Sequence, residues 1–311
     1  MSFHILHVLN TPAKLQKYRG HLQLIKDKRV VQQIPLEDIK CVVLANKGIL
    51  LSSNVLSALL EHKVGIVHCD ERFVPCGKTM PLVQTINPKI LERQITAKKL
   101  KEKMWQKVLR QKIKNQAKVL ELIGANSKYV EEESTKKLMN ESAAAREYFS
   151  KFFAILGEKN LTRRQENNHE INIMLNYGYT VIQALVHRSL VAHGLNPVHG
   201  LHHKDRYQAD ALVYDMMEPW RPFLDLMVWV FLQKKKEKSF LDFKKYIGFS
   251  QYSWQKIEFD NCKHAKKMIH CIDFSSASLA NTFLCQKENQ LWLPEVESNH
   301  FTDLIKWDGV L

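Results

Sequence analysis

The sequence lacks a long uninterrupted hydrophobic run. Its longest apolar stretch, residues 223–232, contains an aspartate and has about half the length that a membrane-spanning helix needs. The N-terminal residues also lack the basic start and apolar core that are typical of a secretory signal peptide. These absences argue against a membrane-spanning or exported protein.

Paired cysteines are missing as well. The six cysteines form no CxxC motif and no regular framework. We therefore expect reduced thiols, several of them buried, in a cytoplasmic protein. The same spacing argues against a zinc site built on cysteine.

Acidic residues are too few to balance the basic ones. The chain has 46 lysines and arginines against 32 aspartates and glutamates, which gives a formal net charge of +14. This excess favours a polyanionic partner, either nucleic acid or an anionic membrane surface. With 311 residues, of which 45% are hydrophobic, the chain can form a sizeable core. Disorder throughout, collagen and a disulfide-stapled miniprotein are thereby excluded.

The hydrophobic patterns predict an α+β protein with two domains. Short β-rich runs separated by turn residues predict a strand-rich domain with one helix over residues 1–80. Within it, residues 26–29 are expected to form a hairpin turn. Two prolines and the lack of a clear period indicate a linker at 81–95. Helical spacing of apolar residues then predicts a larger, all-α domain over 96–311.

One predicted helix, at residues 97–120, has eight apolar residues from Leu100 to Leu120 at helical spacing, which we expect on one face, and it is strongly basic. Nine lysines and arginines lie between Lys98 and Lys118, and only Glu102 opposes them. Such like charges repel one another, and a polyanion would neutralise them. We therefore predict contacts with DNA phosphates; the alternative is a helix that only keeps the protein soluble. The residues expected to contact DNA are Lys103, Lys107, Arg110 and Lys114.

Histidines and carboxylates further along the chain form a candidate metal site. Residues 193–203 contain four histidines in a loop rich in glycine and proline. Asp215 and Glu218 follow on one face of a helical turn that we expect to end or kink at Pro219. Imidazole and carboxylate groups could hold the divalent ion that phosphoryl transfer uses. Equally, the histidines could be ordinary surface residues and the carboxylates could pair with Arg221.

A third carboxylate precedes a run of three alanines. Glu141 lies at the predicted start of a helix whose small residues allow close packing. Arg146, in the same helix, could hold a carboxylate or a phosphate.

These motifs together resemble the integrase of CRISPR adaptation, a metal-dependent nuclease and integrase that inserts new spacers. The resemblance covers about residues 5–230, and the length of the chain is similar to that of members from type II systems. It rests on several motifs in order: IPLEDIKCVVL (34–44), GILLSSNVLSALLEHKVGIVHCD (48–70), PCGK (75–78), NESAAAREYF (140–149), LNYGYTVI (175–182), GLNPVHGLHH (194–203) and DMMEPWRP (215–222).

The resemblance implies a set of metal ligands. Matched position by position, they are Glu141, His203 and Glu218, and Asp215 is an acid close beside them. The preference for His203 over the neighbouring His202 rests on motif alignment alone. Two carboxylates and one imidazole suit Mn²⁺ well and Mg²⁺ adequately. Three departures remove no ligand type: a serine at 142 for a frequent glycine, His202 for a commonly apolar residue before the ligand histidine, and a tryptophan at 220 for a usual phenylalanine.

The resemblance also implies a reaction and an assembly. The 3′-hydroxyl of an incoming DNA end would attack a phosphodiester at the edge of a repeat. The β-rich domain would mediate a homodimer, the helical domain would be catalytic, and a second, smaller adaptation protein would complete a larger complex. We expect double-stranded DNA as the substrate, no membrane partner, and the cytoplasm of a prokaryote as the location.

Two other functions remain open. The same metal site could serve a structure-selective endonuclease that hydrolyses branched DNA. A non-catalytic nucleic-acid-binding scaffold is the third hypothesis, although such a protein would not need all three ligands. A requirement for Mg²⁺ or Mn²⁺ in cutting or joining labelled DNA separates the enzymes from the scaffold.

Overall fold

The chain divides into two compact units, residues 1–84 and 85–311, in a computed structural model. Each unit is considered by itself below. The structure describes residues 4–8, 13–44, 48–70, 75–81, 87–164, 169–203, 210–234, 240–250, 257–259, 262–266 and 268–297.

The first unit is built mainly of strands. In chain order its elements are β1 (His4–Val8), β2 (Ala13–Tyr18), β3 (His21–Lys26), β4 (Arg29–Pro35), β5 (Ile39–Leu44), β6 (Ile49–Leu51), α1 (Ser53–Glu61), β7 (Gly65–Cys69) and β8 (Pro75–Thr79). One sheet has the order β4-β3-β2-β6, and the other has the order β1-β5-β7-β8. Their apolar faces and α1 share one core, which includes Leu15, Leu22, Val42 and Leu59.

The predicted hairpin turn is confirmed between β3 and β4. These strands pair antiparallel, and Asp27 and Lys28 connect them with φ angles of 49° and 64°. Positive φ at both central residues matches the right-handed twist of the paired strands. Ser52 caps α1, because its side chain accepts a hydrogen bond from the Val55 amide.

The second unit is mainly helical. Its elements are α2 (Pro88–Thr96), α3 (Lys98–Leu122), α4 (Lys128–Thr135), α5 (Glu141–Ile155), α6 (Glu170–Ala192), α7 (Ala211–Met217), α8 (Arg221–Lys234), α9 (Phe240–Ser250), β9 (Ile257–Phe259), β10 (Cys262–Lys266) and α10 (Met268–Cys285). The α+β class is confirmed, although the short β9–β10 pair departs from an all-α second domain. No helix within the described ranges is long and apolar enough to cross a bilayer.

The structure places a helix in the predicted linker. α2 starts at Pro88, whereas the sequence analysis assigned 81–95 to a linker; residues 82–86 lie outside the described part. Pro88 looked like a helix breaker, but proline is favourable in the first turn, where its missing amide proton costs no bond. The Asn87 side chain caps this turn by accepting from the amides of Lys89 and Ile90.

The long basic helix is confirmed as α3, with the predicted apolar face. All eight apolar residues expected on that face are buried: Leu100, Met104, Trp105, Val108, Leu109, Ile113, Ala117 and Leu120. α3 packs against α4, α5 and α8 and lies next to the turn at residues 218–220. This position brings one basic residue of α3, Lys112, into the interior.

Candidate metal centre

Glu141 lies at the first position of α5. The Asn140 side chain caps this helix by accepting a hydrogen bond from the Ala143 amide. The Asn140 amide in turn donates to the buried carboxylate of Glu133, which fixes the approach to the helix. The Glu141 side chain is 38% exposed, so one carboxylate reaches both solvent and the neighbouring α3.

Glu218 lies in a tight turn between α7 and α8. As the sequence predicted, the regular helix ends before Pro219, and residues 218–220 form a 3₁₀ turn. Proline cannot donate the hydrogen bond that would continue the α-helix, which accounts for this break. The Glu218 side chain is only 6% exposed, and Arg221 lies 3.1 Å from its Oε1 atom. Glu218 therefore pairs with Arg221, which was the alternative to a ligand role, and it also makes a second contact.

That second contact joins Glu218 to Glu141. The Lys112 Nζ atom lies 2.7 Å from Glu141 Oε1 and 2.6 Å from Glu218 Oε2. Burial by itself would lower the pKa of Lys112, but the charges of Glu218 and Glu141 outweigh it and raise the pKa. Burial would likewise raise the pKa of Glu218, but the charges of Arg221 and Lys112 lower it. One ammonium group therefore joins two carboxylates from distant parts of the sequence.

Asp215 organises the histidine loop. Its buried carboxylate accepts hydrogen bonds from the backbone amides of Leu201, His202 and His203. Gly200 makes this close approach possible, because a Cβ there would lie 2.6 Å from the His203 carbonyl oxygen and 2.8 Å from Asp215 Oδ2. The loop therefore surrounds the Asp215 carboxylate, which the sequence predicted to lie beside the proposed ligands.

The two neighbouring histidines have different surroundings. The Nδ1 atom of His203 lies 2.6 Å from Asp215 Oδ1, and this hydrogen bond raises the pKa of His203. Because Asp215 holds Nδ1, the other ring nitrogen, Nε2, remains for a ligand role. Negative charge on Glu218 and Glu141 also acts on this ring. The ring of His202 instead stacks on Trp105 with a centroid distance of 4.6 Å.

These donor types fit a divalent cation. Two carboxylates already hold a positive group, the Lys112 ammonium, and Glu218 Oε2 is buried against it. Oxygen and imidazole ligands suit Mn²⁺ and Mg²⁺. Across the described ranges, however, no three His, Cys, Asp or Glu side chains cluster tightly enough to hold an ion unaided. The Lys112 ammonium occupies the position between the two carboxylates.

The remaining predicted site residues lie on the surface or bind locally. Arg146 is exposed, and the carboxylates are held by other cations. Lys103 pairs with Glu288 at 2.9 Å, and Lys107 donates to the Leu291 carbonyl oxygen. A further basic side chain, Arg110, donates to the carbonyl oxygens of residues 134 and 136, and the fourth, that of Lys114, is exposed.

Sequence reasoning missed the role of Lys112. It counted this lysine among the surface charges of α3, yet the residue lies four positions after Val108 and three after Leu109, on the apolar face. A lysine at a position predicted to be buried signals an internal ion pair. Asn115 was also missed: its Nδ2 atom donates to the Pro219 carbonyl oxygen at 2.9 Å and ties α3 to the Glu218 turn.

A buried aspartate on α8 anchors the residues that pack against Arg221. Asp225 on α8 accepts hydrogen bonds from the hydroxyl groups of Tyr148 and Tyr179 at 2.8 and 2.6 Å. The guanidinium of Arg221 lies over the Tyr179 ring, 5.0 Å from its centroid. Glu218 is thereby connected through Arg221 to the interior of the helical unit.

Comparisons of sequence point to one family. A profile described as "CRISPR associated protein Cas1" matches residues 6–251. The CRISPR-associated endonuclease Cas1 of Neisseria meningitidis serogroup C is 37% identical over 224 residues, which cover 67% of this chain and 72% of that protein. A second Cas1 endonuclease, from Pyrobaculum aerophilum, is 29% identical over 237 residues, covering 70% of this chain and 78% of the relative.

Solved structures share the fold. A casposase bound to its integration product superimposes with a TM-score of 0.73 and 18% identity, covering 99% of this chain and 94% of that one. A Cas1 protein from Thermotoga maritima gives a TM-score of 0.68 at 13% identity, covering 90% and 97%. A chain of a Cas6-RT-Cas1–Cas2 complex gives 0.74 at 19% identity; the match covers 95% of this chain but 36% of that longer one.

The profile match covers most of the chain, and the Neisseria relative is similar over two thirds of it. The shared fold extends over both units of the structure. The chain therefore belongs to the Cas1 family of CRISPR-associated endonucleases and integrases.

Proposed function

We propose that this chain joins foreign DNA ends to a CRISPR repeat by transesterification, with Mg²⁺ or Mn²⁺ held by Glu141, His203 and Glu218. One observation carries the proposal: a single cation, the Lys112 ammonium, contacts both carboxylates although they come from different elements. The position between them is therefore suited to positive charge. When bound, the metal ion would polarise the scissile phosphodiester and stabilise the charge that develops on its oxygens.

The protein groups around this position have distinct roles in the proposal. Asp215 holds the His203 ring by its Nδ1 atom and so presents Nε2 as the ligand. Arg221 fixes the Glu218 carboxylate through Oε1. The exposed lysines of α3 contact backbone phosphates and position the duplex without reading its sequence.

The proposed partners are double-stranded DNA, a second copy of this chain and a second, smaller adaptation protein. Support comes from the family and from the solved relatives, which include a Cas1–Cas2 complex and a casposase with its integration product. In the first unit, Val30, Val31 and Leu50 are 52%, 55% and 68% exposed. They lie on β4 and β6, the two edge strands of one sheet, and exposed apolar side chains on free edges favour a homodimer interface over residues 1–80.

Joining of labelled DNA ends to a repeat-containing duplex tests the ligand assignment. We expect Glu141→Gln, Glu218→Gln and His203→Ala each to reduce joining by about a hundredfold or more while DNA binding is retained. Glu147→Gln is the matched control, since Glu147 lies on the same helix as Glu141 and pairs with Lys151 at 2.7 Å. We expect this control to join DNA at the wild-type rate.

Near-wild-type joining by Glu218→Gln would overturn the ligand assignment. Retained activity in His203→Ala combined with its loss in His202→Ala would transfer the role to His202. The relatives named as endonucleases favour one further activity, DNA hydrolysis with water as the nucleophile. Branched substrates tested in parallel identify it, because hydrolysis releases free ends whereas transesterification creates a new junction.

A further inference from the structure

Lys112 lies where the proposed metal ion would bind. Its side chain is 9% exposed, and Nζ donates a hydrogen bond to Glu141 Oε1 at 2.7 Å. The same atom lies 2.6 Å from Glu218 Oε2. The two carboxylates that the proposed function assigns to a metal are therefore already bridged by a cation that belongs to the protein.

An ammonium group and a divalent ion cannot share this position. Both would need the same carboxylate oxygens, and like charges a few ångströms apart repel strongly at a buried site. The backbone of α3 is fixed here, because Asn115 donates to the Pro219 carbonyl oxygen at 2.9 Å. The lysine side chain, in contrast, has a flexible four-carbon stem that can move without the helix.

We propose that Lys112 is a resident counter-cation that holds Glu141 and Glu218 together without metal and leaves this position when the divalent ion binds. The inference rests on the metal site of the proposed function. Without Lys112, the two carboxylates would face each other, and Arg221 would compensate the charge of the almost fully buried Glu218 alone, at a high cost. Lys112 thus stabilises the metal-free protein and, by competition, weakens its affinity for the ion.

Binding of Mn²⁺, followed by the electron paramagnetic resonance signal of the free ion, tests the proposal without any DNA reaction. We expect the Mn²⁺ affinity of Lys112→Met to be at least about tenfold higher than that of wild type, because the competing charge is gone. The metal-free variant should melt at a lower temperature than wild type, and Mn²⁺ should raise its melting temperature more. Lys112→Gln, a second neutral variant, should behave in the same way.

Lys118→Met is the matched control on the same helix. Lys118 pairs with Glu121 at 2.7 Å and is 29% exposed, so its loss removes the same charge from α3 outside the site. We expect its Mn²⁺ affinity to equal that of wild type. Unchanged or weaker Mn²⁺ binding in the neutral Lys112 variants, with the control normal, would overturn the proposal.

Two further measurements separate this inference from the proposed function. If Glu141→Gln and Glu218→Gln both bind Mn²⁺ with the affinity of the wild type, the metal site itself is refuted. Loss of binding in those variants, with no gain from Lys112→Met, would refute only the role of Lys112. Amine-selective labelling of the wild-type protein needs no variant: Lys112 should become more reactive on addition of Mg²⁺, and unchanged labelling under saturating metal would also overturn the proposal.

Discussion

At the scale of single residues, the site depends on buried charges whose partners come from distant parts of the chain. Asp215 is fully buried and compensates for this with three backbone amides and the ring of His203. Such compensation is required, because a buried carboxylate without hydrogen bonds is costly. The residue therefore sets both the shape of the histidine loop and the orientation of the His203 ring.

Replacing Asp215 tests this positioning role. We expect Asp215→Asn to reduce DNA joining by about 10- to 100-fold, as is typical when the group that orients a metal-binding histidine is lost. Higher Mn²⁺ concentrations should partly restore joining, because the ligand itself remains. Asp273→Asn is the control, since Asp273 accepts a hydrogen bond from Ser189 near the surface. Joining at the wild-type rate by Asp215→Asn would contradict the assignment.

We predict that Asp225 makes the stability of the protein depend on pH. Burial raises its pKa to about 6, whereas the usual value is 3.8. A carboxyl group whose pKa is raised by folding stabilises the folded state at pH values below its unfolded-state pKa. This stabilisation is lost as the pH rises through its folded-state pKa. Between about pH 4 and 6 the wild-type protein should lose up to about 3 kcal/mol of stability from this group.

Urea unfolding of the wild type and of Asp225→Asn between pH 4 and 7 measures this loss. The stability of the variant relative to wild type should increase with pH over this window, since asparagine does not ionise. Tyr148→Phe should move the window upward, because the tyrosine hydroxyl stabilises the ionised carboxylate. A stability difference that does not change with pH would show that Asp225 keeps its ordinary pKa.

At the scale of elements, α3 has a buried apolar face and an exposed basic face. Its apolar face supports the core and carries Lys112 to the site, while Lys103, Lys107 and Lys114 are exposed. Arg110 has the larger structural task, because it is half-buried and donates to two carbonyl oxygens at the end of α4, whereas Lys107 is exposed and donates to the Leu291 carbonyl oxygen. A test of DNA contact should therefore leave Arg110 unchanged.

The combined change Lys103→Gln, Lys107→Gln and Lys114→Gln tests phosphate contact. We expect weaker binding to all DNA sequences about equally, because lysines act as point charges and not as readers of base edges. The slope of log affinity against log salt should fall by about 0.9 for each duplex phosphate that the protein no longer neutralises. Binding assays over a salt series measure both quantities.

Three exposed basic residues of the first unit provide a charge-matched control: Lys14, Lys17 and Lys28. Their replacement by glutamine should affect affinity and salt slope less than the change on α3. Equal effects of the two triple changes would mean that α3 contributes only to the net charge. Loss of preference for one sequence, with general affinity intact, would make these residues readers of bases.

At the scale of the whole molecule, the chain consists of a strand-rich and a helical unit, and the proposed metal ligands all belong to the second. Joining both ends of an inserted DNA requires two such sites, and one chain offers one. This requirement and the exposed apolar residues of the first unit both favour a homodimer.

Sedimentation equilibrium at micromolar concentrations should therefore detect two chains per particle. Val31→Lys should shift this equilibrium toward the monomer without changing Mn²⁺ binding, because Val31 is 55% exposed and its replacement disturbs no core. Leu138→Lys is the control, since Leu138 is 85% exposed in the second unit. A stable wild-type monomer would refute the homodimer. An unchanged dimer in Val31→Lys would show that the interface does not include Val31 on β4.

The sequence by itself determined those features that depend on local pattern. Apolar residues at helical spacing predicted α3 and its buried face, and turn residues predicted the β3–β4 hairpin. The order of the motifs predicted the family and the enzyme class, which the profile match and the relatives confirm. Periodicity and local motifs are visible in a sequence because they link residues only a few positions apart.

Only the tertiary structure decided which charges meet. Lys112 belonged to a run of basic residues in the sequence, and the packing of α3 against α5 and the Glu218 turn made it the bridge between two carboxylates. Likewise, Asp225 looked like an interruption in an apolar helix until Tyr148 and Tyr179 were found around it. Charge partnership depends on distance and burial, and both arise from contacts between elements that no local pattern encodes.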